Sequence, residues 1–111
     1  MADTPLINNT KISAADTVTE LYLSPAAGLG TIVNAFTATN DSGLASVSYK
    51  AYIYDITGAT VSAVIPQTIV VKDRFHAGQS IVNQVVPAGG TIRVENSAAD
   101  GLNFYASGRE Q

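Results

Sequence analysis

The chain of 111 residues has no cysteine, no tryptophan, one methionine and one histidine. Without cysteine there is no disulfide framework and no thiolate metal site. A lone His76 cannot assemble a histidine-rich metal centre or proton relay. Charge is scarce as well: Asp, Glu, Lys and Arg make up 14% of residues, against roughly a quarter in an average soluble domain. Six basic against nine acidic side chains leave a net charge of −3, so the basic footprint of a nucleic-acid binder is missing and no direct nucleic-acid binding is expected. No apolar run is long enough to span a bilayer, and no basic stretch precedes an apolar one near the N-terminus. Synthesis in the cytoplasm and no membrane partner are the expectation.

What remains is a strand-forming composition. Thr, Val and Ile number 31 together, whereas Glu, Lys and Arg number three each. Side chains branched at Cβ are stiff and pack well on a pleated surface, so this balance favours β-structure over helix. At 46% hydrophobic residues a single domain of this length can bury a real core.

Turn signals divide the chain at short intervals. Residues 1–16 are polar and without sustained period, which predicts an extended N-terminal arm or edge strand ahead of a sandwich domain over 17–111. Thr17–Leu23 reads as a strand closed by Ser24-Pro25-Ala26-Ala27-Gly28. In Thr31–Asn40, Ile32, Asn34, Phe36 and Ala38 are predicted on one face and Val33, Ala35, Thr37 and Thr39 on the other. In Ser46–Asp55, Val47, Tyr49, Ala51 and Ile53 form a core-like face opposite Ser48, Lys50, Tyr52 and Tyr54. Thr57-Gly58-Ala59 predicts a hairpin into Thr60–Ile65, with Pro66 breaking the run before Gln67–Lys72. Asp73–Gly78 reads as a loop and Gln79–Val86 as a strand ended by Pro87-Ala88-Gly89-Gly90. Thr91–Asn96 follows, with Ile92 and Val94 inward and Arg93 and Glu95 outward. Leu102–Ser107 closes the chain after Asp100-Gly101. About eight antiparallel strands without a helix predict an all-β, two-sheet sandwich, jelly-roll-like, with an immunoglobulin-like sandwich as the alternative.

The chemistry-bearing residues do not converge on a catalytic set. His76, in Asp73-Arg74-Phe75-His76, has no second imidazole or thiolate to share a metal. Asp55, Glu95 and Asp100 occupy strand ends or outward positions, not a paired-carboxylate cleft. No nucleophile elbow surrounds any serine. Gly28-Leu29-Gly30 and Gly89-Gly90 lie between strands, whereas a phosphate-binding loop opens a helix. Asn8-Asn9-Thr10 and Asn40-Asp41-Ser42 match the glycosylation pattern without a secretory context. No catalytic residue, cofactor or metal is expected, and the chain reads as structural or binding, not as an enzyme. Tyr52 and Tyr54 offer large area with a polar tip and suit a contact surface. A low-charge surface costs little to desolvate. The expected contact residues, to a partner or a second copy, are Asn8, Asn9, Thr10, Tyr52, Tyr54, Arg74, Phe75 and His76. Asn103 and Tyr105 are candidates for stacking and hydrogen bonding to a sugar.

The succession Glu20-Leu21-Tyr22-Leu23-Ser24-Pro25-Ala26-Ala27-Gly28, Thr31-Ile32-Val33-Asn34-Ala35-Phe36 and Thr39-Asn40 resembles small virion proteins of tailed bacteriophages. The likeness continues through Asn83-Gln84-Val85-Val86-Pro87-Ala88-Gly89-Gly90-Thr91-Ile92-Arg93-Val94 and Asn103-Phe104-Tyr105-Ala106-Ser107-Gly108-Arg109-Glu110. The resemblance covers most of the chain from Glu20 and is closest to capsid decoration proteins of the cement or staple type. It implies a β-sandwich on the outer capsid surface of a virion that clamps neighbouring capsomers of the expanded, DNA-filled head. The implied partners are the major capsid protein and a second copy in a homo-oligomer, a dimer being the simplest. A module of a head or tail fibre that binds a receptor or carbohydrate is the alternative.

Overall fold

A computed structural model describes residues 3–61, 68–78 and 81–111. Nine strands and no helix are present among them: β1 (Thr4–Lys11), β2 (Thr19–Leu23), β3 (Thr31–Thr39), β4 (Ser46–Tyr54), β5 (Ile69–Lys72), β6 (His76–Gly78), β7 (Val85–Val86), β8 (Thr91–Asn96) and β9 (Asn103–Glu110). They form two antiparallel sheets, one ordered β1-β9-β3-β6 with β7 also on β3, the other β2-β8-β4-β5.

The pairings are nested. β1 meets β9, β2 meets β8, β3 meets β6 and β7, and β4 meets β5. The chain is thus one long antiparallel ribbon, wound so that successive pairs fall alternately in the two sheets. Pairings of β3 with β9 and of β4 with β8 close each sheet. This is the jelly-roll arrangement. An immunoglobulin-like order sets several consecutive strands side by side; here β4 and β5 alone do so among the described residues, which removes that alternative.

Alternation in β4 and β8 runs as their sequences predict, with Val47, Tyr49, Ala51, Ile53, Ile92 and Val94 all buried. Phe36, Tyr49 and Phe104 meet at the centre with ring centroids 5.7–6.2 Å apart, a spacing at which tilted rings attract beyond their buried area. Ile7 on β1 and Ile12 just after it belong to the same core, so the polar N-terminal segment contributes an edge strand and two core side chains.

Three sequence expectations are corrected. The single alternation expected along β3 fails in its first half, since Val33 is buried and Ile32 only half-buried. The register against β9 slips between Val33 and Ala35, and such a bulge reverses the side-chain phase, bringing Val33 and Phe36 to one face. His76–Gly78 is strand, not loop, because its backbone pairs with Thr37–Thr39. Of the run expected over Gln79–Val86, residues 79–80 lie outside the described residues and the rest is strand only at Val85–Val86. Residues 81–84 turn instead, with Asn83 at φ 67°, and the Asn83 and Gln84 backbones hydrogen-bond Val33 at the bulge. The nine strands include β1, within the segment expected as arm or edge strand, and β6, within the segment expected as loop. The strand expected over 60–65 and the Pro66 break lie largely outside the described residues. Thr60 makes an isolated bridge to Tyr54.

Candidate functional site

The nested topology puts the sheet-to-sheet connections at two ends. One end is built from residues 24–30, 55–61 and 87–90, which contain a single ionisable side chain, Asp55. Its carboxylate accepts hydrogen bonds from the Thr57 hydroxyl, the Thr57 amide and the Ala59 amide, and these bonds, Thr57's hydroxyl first, hold its pKa below the ordinary 3.8. Ser24 donates its amide to Gly90 and Gly89 donates to Pro25, so two of these loops are tied together. Leu29 is 81% exposed and Ile56 68%, and Leu23 and Val85 are exposed beside them. A Cβ on Gly89 would collide with the Ile56 side chain, and one on Gly30 with the Val86 carbonyl oxygen. Both glycines have positive φ, 74° and 102°, so glycine is demanded by conformation as well as by space.

The other end is built from residues 12–18, 40–45, 73–75 and 97–102. It carries Asp16, Asp41, Asp73 and Asp100 with a single Arg74. Lys11 reaches Asp41 at 3.2 Å from the end of β1. Exposed Leu44 and Phe75 are interleaved with these charges. The two ends therefore differ in charge more than in apolar exposure.

Each end is sealed by a buried polar group. At the first, charge-poor end the Tyr22 hydroxyl hydrogen-bonds Thr31 at 2.9 Å and the Glu110 carboxylate at 2.5 Å, and Ser24 meets Thr31 at 2.8 Å. This links β2 of one sheet to β3 and β9 of the other. Desolvation, reinforced by the Glu110 carboxylate, pushes the Tyr22 phenol up to about 12. At the acidic end the buried Asn40 donates to the Leu44 and Val71 carbonyls and accepts from the Ser42 amide and hydroxyl.

The expected contact residues do not form one surface. Tyr52 and Tyr54 lie on the outer face of the four-stranded sheet with ring centroids 6.0 Å apart. Tyr52 donates to Glu95, which pushes its phenol up to about 12. The Arg93 guanidinium lies 4.4 Å from the Tyr54 ring centroid. Arg74, at φ 63°, and exposed Phe75 and His76 belong to the acidic end, held there by backbone bonds between Asn40 and both Arg74 and Phe75. Asn8, Asn9 and Thr10 lie on the edge strand β1, where the register slips and Asn9 adopts φ 47°. Asn103 and Tyr105 lie on β9 in the opposite sheet, both half-buried. No cluster of three or more His, Asp or Glu placed to hold a metal occurs among the described residues.

Leu23, Leu29, Ile56 and Val85 are missing from the expected contact set. The signal available for them was the composition of the Pro-Ala-Ala-Gly and Pro-Ala-Gly-Gly turns, small and uncharged where turns are usually polar. No protein-family model, no curated protein and no solved structure matches this chain.

Proposed function

We propose that the protein is a bacteriophage virion component that binds the outer capsid surface and staples neighbouring capsomers, stabilising the expanded head. The observation that carries this reading is the division of charge between the ends of the sandwich. Burying an end against another protein strips its groups of water, which costs less for exposed Leu23, Leu29, Ile56 and Val85 with two carboxylates, Asp55 and Glu110, than for four aspartates. The charge-poor end is therefore the capsid-facing foot, and the acidic end stays in solvent. The likeness of Glu20–Gly28 and Asn83–Val94 to decoration proteins supports the same assignment, and the jelly-roll arrangement is shared by viral capsid and lectin domains.

The dimensions favour a paired staple. The smaller extents, 28 × 22 Å, give an end face of roughly 500 Å², short of the roughly 800 Å² per partner of a stable interface. Two copies joined as a dimer supply two such feet on neighbouring capsomers, and linkage raises the strength of attachment without new contacts. Quantitative mass spectrometry of purified particles, read against the major capsid protein, tests the assignment. Copies on the order of hundreds agree with a shell-wide decoration. A few dozen copies assign the protein to the tail or fibres, and absence from the particle overturns the reading altogether.

A further inference from the structure

We propose that two copies of the chain join through the outer face of the five-stranded sheet, packed back to back about a two-fold axis that runs along the strands. The direction of that axis rests on the reading of the charge-poor end as the capsid-facing foot. Antiparallel pairing of two edge strands turns the copies end for end, so one foot would point away from the shell. Packing one sheet face on its copy, with the strands nearly aligned, keeps both feet on the same side.

The two outer faces differ in what they would lose to a partner. The four-stranded face carries Glu20, Lys50, Lys72, Arg93 and Glu95 on its outward positions. At the centre of the five-stranded face Ala35, Thr37 and Thr39 stand opposite Ser107, Tyr105 and Asn103. All six are half-buried and none is charged. Lys11 and Arg109 flank this centre and are already paired, with Asp41 at 3.2 Å and Asp3 at 3.4 Å. Small side chains lose little rotamer freedom on contact, and hydroxyls cost less to desolvate than charges. Tyr105 supplies the one large ring, of the residue type that interfaces favour.

The area suits a second copy. The smallest extent, 22 Å, is that of two sheets packed roughly 10 Å apart with their side chains. Each sheet face therefore spans 41 × 28 Å, roughly 900 Å² against the roughly 800 Å² per partner of a stable interface. The face supplies what the end alone does not.

Sedimentation equilibrium of the free, full chain should give twice the 11.5 kDa chain mass. Thr37→Lys and Ser107→Lys, each folded by its spectrum, set like charges against each other across the axis and should weaken the dimer roughly 100-fold or more. Lys50→Asp and Leu29→Asp should leave it intact. A chain monomeric at high micromolar concentration overturns the proposal, and so does a dimer indifferent to both lysine variants. Because the chain has no cysteine, Ile32→Cys and Thr39→Cys read the axis through a short bismaleimide crosslinker. Each variant should crosslink to its own copy, since Ile32 lies toward the foot and Thr39 toward the acidic end. Crosslinks formed only when the two variants are mixed would set the copies end for end and overturn the orientation. Both measurements use the free protein, so they fail separately from copy number on particles.

Discussion

The two ends of the sandwich solve one structural problem with opposite chemistry. Both must close a gap between two sheets and satisfy the backbone groups of several crossing loops. The charge-poor end does so with the hydroxyls of Tyr22, Ser24 and Thr31 and the Glu110 carboxylate, and with loops of Pro, Ala and Gly that approach one another closely. The acidic end does so with the amide of Asn40, whose four bonds tie residues 42, 44 and 71, and it leaves its aspartates in water. Internal closure therefore does not require the charge difference, since either chemistry seals an end. The difference belongs to the outer surface, and it is there that the two ends offer different things to a partner.

The largest expected effect ignores the comparison and calibrates it. Phe104→Ala empties the centre shared by both ends and should cost about 3–5 kcal/mol, read as a lowered denaturation midpoint with hydrogen-exchange protection falling at both ends alike. Asn40→Ala should cost about 2–3 kcal/mol, because buried carbonyls of Leu44 and Val71 lose their donor. Its exchange protection should drop around residues 40–45 and 71–75 and hold around 24–30. Equal loss at both ends would mean that the ends are not separately sealed.

Tyr22→Phe is the mirror experiment and should cost about 1–2 kcal/mol at neutral pH, with protection lost around Leu29 and Gly90. The folded state raises the Tyr22 phenol from 10 to about 12, so it favours the protonated form. That contribution is complete below pH 10 and is lost as pH rises through 12. Tyr52 is raised in the same direction, so Tyr22→Phe should flatten the alkaline loss of stability without abolishing it. A smaller acid effect belongs to Asp55, whose folded pKa is depressed. Its contribution is present above the ordinary value of 3.8 and disappears as pH falls through the lower folded value. Asp55→Asn should remove that slope, measurable as chemical shifts of Thr57 and Ala59 that no longer titrate.

Much of the fold was legible because period two is a strong signal where a strand is regular. β4 and β8 present Val47–Ile53 and Ile92–Val94 inward as read. β3 was misread because a bulge after Val33 depends on its partner β9, which lies more than 60 residues away in sequence. The turn at residues 81–84, hydrogen-bonded to Val33 at that same bulge, was equally invisible. Side chains with obvious chemistry drew the expected contact set to Tyr52, Arg74 and His76, and the nested topology scatters these over a sheet face and the acidic end. Leu29 and Ile56 carry no chemical flag; their meaning comes from standing together on one end, which topology alone decides.

The smallest expected effect on stability comes with the largest on function. Leu29→Asp and Ile56→Asp change exposed side chains and should move stability by no more than about 0.5 kcal/mol. The most direct test of the central claim is sedimentation binding of these two variants, beside Asp41→Asn and Asp73→Asn, to particles stripped of the native protein. The account predicts that the first pair loses binding while the second pair keeps it. Retained binding by Leu29→Asp and Ile56→Asp, with loss in the aspartate variants, would place the foot at the acidic end and contradict it.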